Sequence, residues 1–276
     1  MGKFSKLMSG SSQTTSPPPP SYGEAKQERL PTPPPAFPHT FACLHLARGD
    51  GVRLIGLPET VYEDVEQAII RVWMRGIQGK SHLQQGIEWK LRGYPWSAQG
   101  SDAVPARRLL CHILFALCAK GWEIHISVDL SKKEFDKDTI ILHSVPPRER
   151  FFFSVSFNQS DRVRIIDPPD ERVKQTFIYA IRVRKPSSMF FRMINAIQTW
   201  PLGIQQEKER EPGCYELKLR GNPWWTSSGD QIIHARLLAC TILSAMETCG
   251  FVLVSSVDMS VAYASGNSSA PGDCES

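Results

Sequence analysis

The chain has 276 residues, 41% of them hydrophobic and 22% charged, with a net charge of +4 left by 32 basic and 28 acidic side chains. That length suits two ordinary domains beside a non-globular segment, and so even a charge balance shows no strong polyanion footprint, which leaves nucleic acid unsupported as a partner. No apolar run reaches the roughly eighteen residues of a spanning helix, and no secretory-type apolar core stands near the N-terminus. The seven cysteines form no CxxC pair, which fits a reducing compartment, so the expected location is the cytoplasm or the cytosolic face of its membranes.

Residues 1–38 are rich in Pro, Ser, Thr and Gln and poor in large apolar side chains. Such a stretch cannot bury enough surface to offset its ordering entropy, and a disordered tail is expected. Gly2 stands where N-myristoylation would need it, although Ser5 and Lys6 shift the motif by one place; Lys3 and Lys6 could add attraction to an anionic membrane surface. Further on, Pro19-Pro20-Ser21-Tyr22 resembles the Pro-Pro-x-Tyr ligand of WW domains, including those of HECT-type ubiquitin ligases. The resemblance implies prolines laid in an aromatic groove in polyproline II form, with Tyr22 filling a second pocket.

From residue 39 the sequence repeats itself. "EWKLRGYPW" (Glu88 to Trp96) returns as "ELKLRGNPW" (Glu216 to Trp224), "GVRLIGLP" (Gly51 to Pro58) as "RVRIIDPP" (Arg162 to Pro169), "RGIQ" as "LGIQ", and "GWEIHISVDLS" as "GFVLVSSVDMS". Four blocks in one order indicate a tandem duplication, with copies at 39–146 and 150–262 and a second disordered tail at 263–276. Within a copy, "TFACLHL" and "GVRLIGL" alternate as a hairpin and "ETVYEDVEQAIIRVWMRG" has helical spacing. "IEWKLRG" follows as a strand, then the helix "ARRLLCHILFALCAKGW", ended by Gly121, and the strands "EIHISVDL" and "DTIILHSV". The predicted module is β-β-α-β-α-β-β, an α+β layer with helices on one face of a mainly antiparallel sheet. The second copy is expected to carry an insert near 170–186 and to lack its last strand, leaving an exposed edge.

The strand "IEWKLRG" puts Glu88, Lys90 and Arg92 on one face, and the repeat places Glu216, Lys218 and Arg220 likewise. Lys90, Arg92, Lys218 and Arg220 are therefore the candidate anion or peptide site, against the plainer reading of cross-strand charge pairs. Trp96 and Trp224 are expected to plug the corner after that strand. Arg108 and Arg236 are expected to pair with Asp129 and Asp258. Cys111, His112, His125 and His143 could supply a Cys-His pairing, but Cys111 and His125 face Ala239 and Val254 in the other copy. The insert gathers Arg182, Arg184, Lys185 and Arg192 with Phe177, Tyr179, Phe190 and Phe191, read as an alternating strand with a solvated face.

No catalytic, metal or cofactor motif occurs, and the sequence reads as a non-enzymatic adaptor that recruits WW-domain proteins. The rival reading is a membrane-associated, self-associating structural protein, since Gly2, the nearby lysines, the Pro-Pro-x-Tyr motif and a compact body resemble the layout of viral matrix proteins.

Overall fold

In the first copy, alternation of apolar and polar residues produces β1 (Phe41–Ala47) and β2 (Gly51–Ile55), and helical spacing produces α1 (Tyr62–Val72), with Val65, Ala68 and Ile69 buried. There follow β3 (Ile77–Leu83), β4 (Gly86–Leu91), α2 (Ala103–Ala119), β5 (Trp122–Val128) and β6 (Thr139–Ser144). A computed structural model describes residues 41–97, 100–130, 138–182, 200–226 and 229–258. The second copy provides β7 (Ser154–Asn158), β8 (Arg162–Ile166), α3 (Glu171–Arg182), β9 (Ile204–Glu211), β10 (Cys214–Leu219) and α4 (Gly229–Thr248). The fold is α+β and the two copies share one plan, as a tandem duplication requires.

All pairings are antiparallel; the first sheet runs β3-β4-β2-β1-β6-β5 and the second β7-β8-β10-β9. Each sheet buries one face beneath its two helices. Leu44, Leu46, Val52, Leu54, Ile87, Trp89 and Leu91 meet Val65, Ile69, Leu109 and Ile113 in the first core. Val163, Ile165, Leu217 and Leu219 meet Phe177, Ile181, Leu238 and Ile242 in the second. At about 25 cal/mol per Å² of apolar surface removed from water, such side chains carry most of the stability. Gly121 ends α2 with φ +81°, and a Cβ there would stand 2.4 Å from the Val145 carbonyl oxygen, so only glycine closes this turn.

Three expectations need correction. In the first copy the order is β-β-α-β-β-α-β-β, one strand longer than predicted, because β3, exposed along nearly all its length, and its counterpart β9, exposed at half its positions, show no apolar alternation. Residues 171–182 are not an insert or a strand but the helix α3, equivalent to α1, whose Val173, Phe177, Ile178 and Ile181 are buried at helical spacing. The additional residues of the second copy come after α3, and Arg184, Lys185, Phe190, Phe191 and Arg192 lie outside the described residues. Arg108 pairs not with Asp129 but with Asp167 and Glu211 of the second copy.

The match of "GFVLVSSVDMS" to the strand "GWEIHISVDLS" does not carry over to the structure: residues 251–258 join no ladder, and among the described residues the second sheet has no counterpart of β5; residues 259–276, which follow that match, lie outside the described residues. Residues 251–258 instead cross between copies. Phe251 packs on the second core and Val257 on the first, while the Asp258 amide donates to the Asp138 carboxylate at 3.0 Å.

Candidate functional site

Among the described residues, the largest group of interacting charges lies on the face of the second sheet turned away from its own helices. β8 carries Arg162 and Arg164 on this face, because Val163 and Ile165 point into the core. Strand register sets Arg164 and Lys208 on either side of Glu216, and Arg162 beside Lys218. Glu216 is 1% exposed and accepts from Arg162 Nη1 at 2.5 Å and Arg164 Nε at 2.6 Å, with Lys208 Nζ at 3.6 Å and Arg210 Nη1 at 3.8 Å. Asp161 lies 3.7 Å from Lys218 Nζ and 3.8 Å from Arg162 Nε. Five cations thus share two carboxylates. Burial alone would raise the Glu216 carboxyl, but the bonds from Arg164 and Arg162 outweigh it and hold it below its ordinary range.

The neighbouring border comes from the first copy. Arg210 Nη2 donates to the Gly100 carbonyl at 2.8 Å, and Val104 of α2 packs on Ile166 and Cys214. Beside them Arg108 grips Asp167 through Nε at 2.7 Å and Nη2 at 3.0 Å, holds Glu211 through Nη1 at 2.6 Å, and donates to the Pro212 carbonyl. Arg107, on the same turn, has its pKa lowered by burial and by the charge of Arg164.

Of the predicted face, Lys218 joins this group and Lys90 stands on the corresponding face of the first sheet, 3.8 Å from Asp50. Arg92 and Arg220 fall past the ends of β4 and β10, where their carbonyls accept the indole N–H of Trp73 and Trp200, each at 2.9 Å. Gly2, Pro19, Pro20 and Tyr22 lie outside the described residues. Sequence reasoning missed Arg162, Arg164, Lys208 and Arg210. The signal for the first two was present in "RVRIID", where basic residues alternate with core residues.

Trp96 and Trp224 occupy equivalent places, donating to the Gly51 and Arg162 carbonyls at 2.6 and 2.9 Å; Trp96 is fully buried and Trp224 partly so. The Cys-His set is dispersed: Cys111 and His112 lie on α2, while His125 of β5 and His143 of β6 meet edge to face, their ring centroids 5.5 Å apart. Burial, with a contribution from Asp167, pushes the Cys111 thiol up to about 12, and burial pushes Cys214 up to about 11, so both are protonated at neutral pH. A shallow depression of about 520 Å³ beside α3 is lined by Arg172, Gln175, Thr176, Tyr179, Arg182 and Thr248, with no cysteine, histidine or carboxylate among its lining residues. Among the described residues, no helix is long and apolar enough to cross a membrane.

One domain family, whose description states no activity, matches the chain twice, over residues 40–143 and 151–270. The chain belongs to that family and carries its domain as a tandem pair. No curated protein and no solved structure matches it.

Proposed function

We propose that this member of the duplicated-domain family is a non-enzymatic intracellular adaptor that recruits WW-domain proteins, HECT-type ubiquitin ligases among them. The observation that carries the reading is Pro19-Pro20-Ser21-Tyr22, set in a Pro- and Ser-rich stretch ahead of the body that begins at β1. A Pro-Pro-x-Tyr peptide binds with little ordering cost because its prolines already favour the polyproline II form, and the tyrosine adds a second anchor. The two modules then serve as the other half of the adaptor. Affinity purification from cells with mass spectrometry tests this, comparing wild type with Tyr22→Ala. WW-domain ligases disappear from the variant's partners; identical partner sets would overturn the reading.

A second reading, a membrane-associated matrix-like structural protein, is favoured by the basic surplus on the second sheet together with Gly2, Lys3 and Lys6. Flotation with liposomes and assembly into a lattice would support it, and a monomer that stays with the aqueous fraction would refute it.

A further inference from the structure

The duplication provides an internal control for the charged face. Arg53, Glu88, Lys90 and Asp50 of the first sheet correspond to Arg164, Glu216, Lys218 and Asp161 of the second. In the first sheet these four balance as two pairs, Arg53 with Glu88 at 2.9 Å and Lys90 with Asp50 at 3.8 Å. The second sheet keeps that quartet and adds cations where the first has none. Register places Arg162 opposite Lys218 as Gly51 is opposite Lys90, and Lys208 opposite Glu216 as Ser81 is opposite Glu88. Arg210 is the third addition, in a strand whose counterpart ends Ser81-His82-Leu83.

The additions exceed what the fold needs. A buried carboxylate is satisfied by two charge-assisted bonds, and Arg162 and Arg164 already supply them. Lys208 and Arg210 stand farther off, at 3.6 and 3.8 Å. Arg162 Nε is buried and bonds no acceptor, with the Asp161 carboxylate at 3.8 Å. Like charges gathered without counter-charge repel one another, and a buried donor without a partner costs free energy. Both deficits are removed by an anion seated over the sheet, with the Arg164–Glu216 pair as floor and Arg162, Lys208, Arg210 and Lys218 as walls.

We propose that this face of the second sheet is a binding site for clustered phosphate monoesters, such as those of an inositol phosphate, free or as a lipid headgroup. A phosphate monoester carries about −1.5 to −2 at neutral pH and three strong acceptor oxygens. The local surplus of three cations over carboxylates therefore calls for more than one such group. Guanidinium forks with flanking ammonium groups suit phosphate oxygens, and the partly exposed side chains of Arg162, Lys208, Arg210 and Lys218 can reach a headgroup presented by a membrane or one in solution, above the buried Arg164–Glu216 pair. The site does not depend on the Pro-Pro-x-Tyr motif.

The test uses the full chain and inositol 1,4,5-trisphosphate in calorimetry, with inorganic phosphate beside it. The trisphosphate saturates and inorganic phosphate binds more weakly. Lys208→Ser places the first module's residue at a partly exposed position with no risk to the fold, and weakens binding several-fold. Arg162→Gln/Lys208→Ser/Arg210→Gln weakens it about tenfold or more, while Lys90→Ser and Tyr22→Ala leave it unchanged. Sedimentation with phosphatidylcholine vesicles carrying phosphatidylinositol 4,5-bisphosphate assigns the source: co-sedimentation lost in the triple variant marks the lipid, and binding of the soluble trisphosphate alone marks the free ligand. The proposal fails if the trisphosphate does not bind, if Lys208→Ser binds as wild type, or if phosphatidylserine vesicles are bound equally well.

Discussion

Four tryptophans show how single residues hold each module together. Trp73 and Trp200 tie the turns that lead into β3 and β9 to the ends of β4 and β10, and Trp96 and Trp224 tie the following corner to β2 and β8. Each indole combines a large apolar body with one N–H that needs an acceptor, and each acceptor is a backbone carbonyl at the same place in its copy. Trp96→Ala is expected to cost about 3–5 kcal/mol, as large-to-small changes at full burial do. Trp224→Ala should cost less, because its ring is partly exposed and rests on Phe157, with centroids 4.6 Å apart. Chemical denaturation of the two variants measures the difference, and equal losses would refute the ranking. Glu216 makes a different prediction. Its folded-state pKa lies below the unfolded value, because Arg164 and Arg162 outweigh burial. Its contribution is therefore fully present above the unfolded carboxylate range, about pH 4.3, and is lost as pH falls through the folded pKa. The stability gap between wild type and Glu216→Gln, about 3 kcal/mol for breaking a buried pair, should stay constant from pH 7 to 5 and close on further acidification. A gap that widens on acidification would contradict this assignment.

At the scale of elements, the sheets differ in how their edges are protected. β3, β5 and β9 each meet their neighbour with a register irregularity, and β9 also carries alternating charges. β7, Ser-Val-Ser-Phe-Asn, pairs with β8 without a bulge and has no charge or proline. Its counterpart β1 lies between β2 and β6. Hydrogen exchange should find alternate amides of β7 open while β1 is protected throughout; equal protection would mean that something covers the β7 edge. Part of this architecture was legible in the sequence. Strands with one buried face announced themselves by alternation, and the repeat fixed the second copy from the first. β3 and β9 were not legible, because a strand built mostly of polar and charged side chains leaves no apolar period. The helix α3 was obscured by the extra residues that follow it, which broke the match to α1, although Trp73 and Trp200 mark where the copies realign. The charged face was half visible: Lys218 could be placed by strand parity, while the convergence of Lys208 and Arg210 on Glu216 depends on β9, the strand that periodicity misses.

For the whole molecule, the decisive contact is one that comparison of the copies would misplace. Arg108 and Arg236 occupy the same position in α2 and α4, yet Arg236 is exposed, whereas Arg108 reaches into the second copy. Its guanidinium joins the end of β8, through Asp167, to the β9–β10 turn, through Glu211 and the Pro212 carbonyl. The small cluster of Val104, Ile166 and Cys214 closes the apolar side of the same junction. The linker adds a second tie, with Phe152 in the first core, Phe153 in the second, and Arg148 and Arg150 on Glu123. One bidentate arginine among several acceptors is a geometric lock that a lysine, with a single ammonium, cannot reproduce. Arg108→Lys should therefore weaken coupling between the copies while each core stays intact, and Arg108→Ala should weaken it further, by about 2 kcal/mol for the lost charge-assisted bonds. Calorimetry is expected to show one cooperative transition in the wild type that broadens in Arg108→Lys and separates into two in Arg108→Ala. If both variants melt in a single transition as sharp as the wild type's, the apolar cluster and the linker carry the coupling, and Arg108 only decorates the junction.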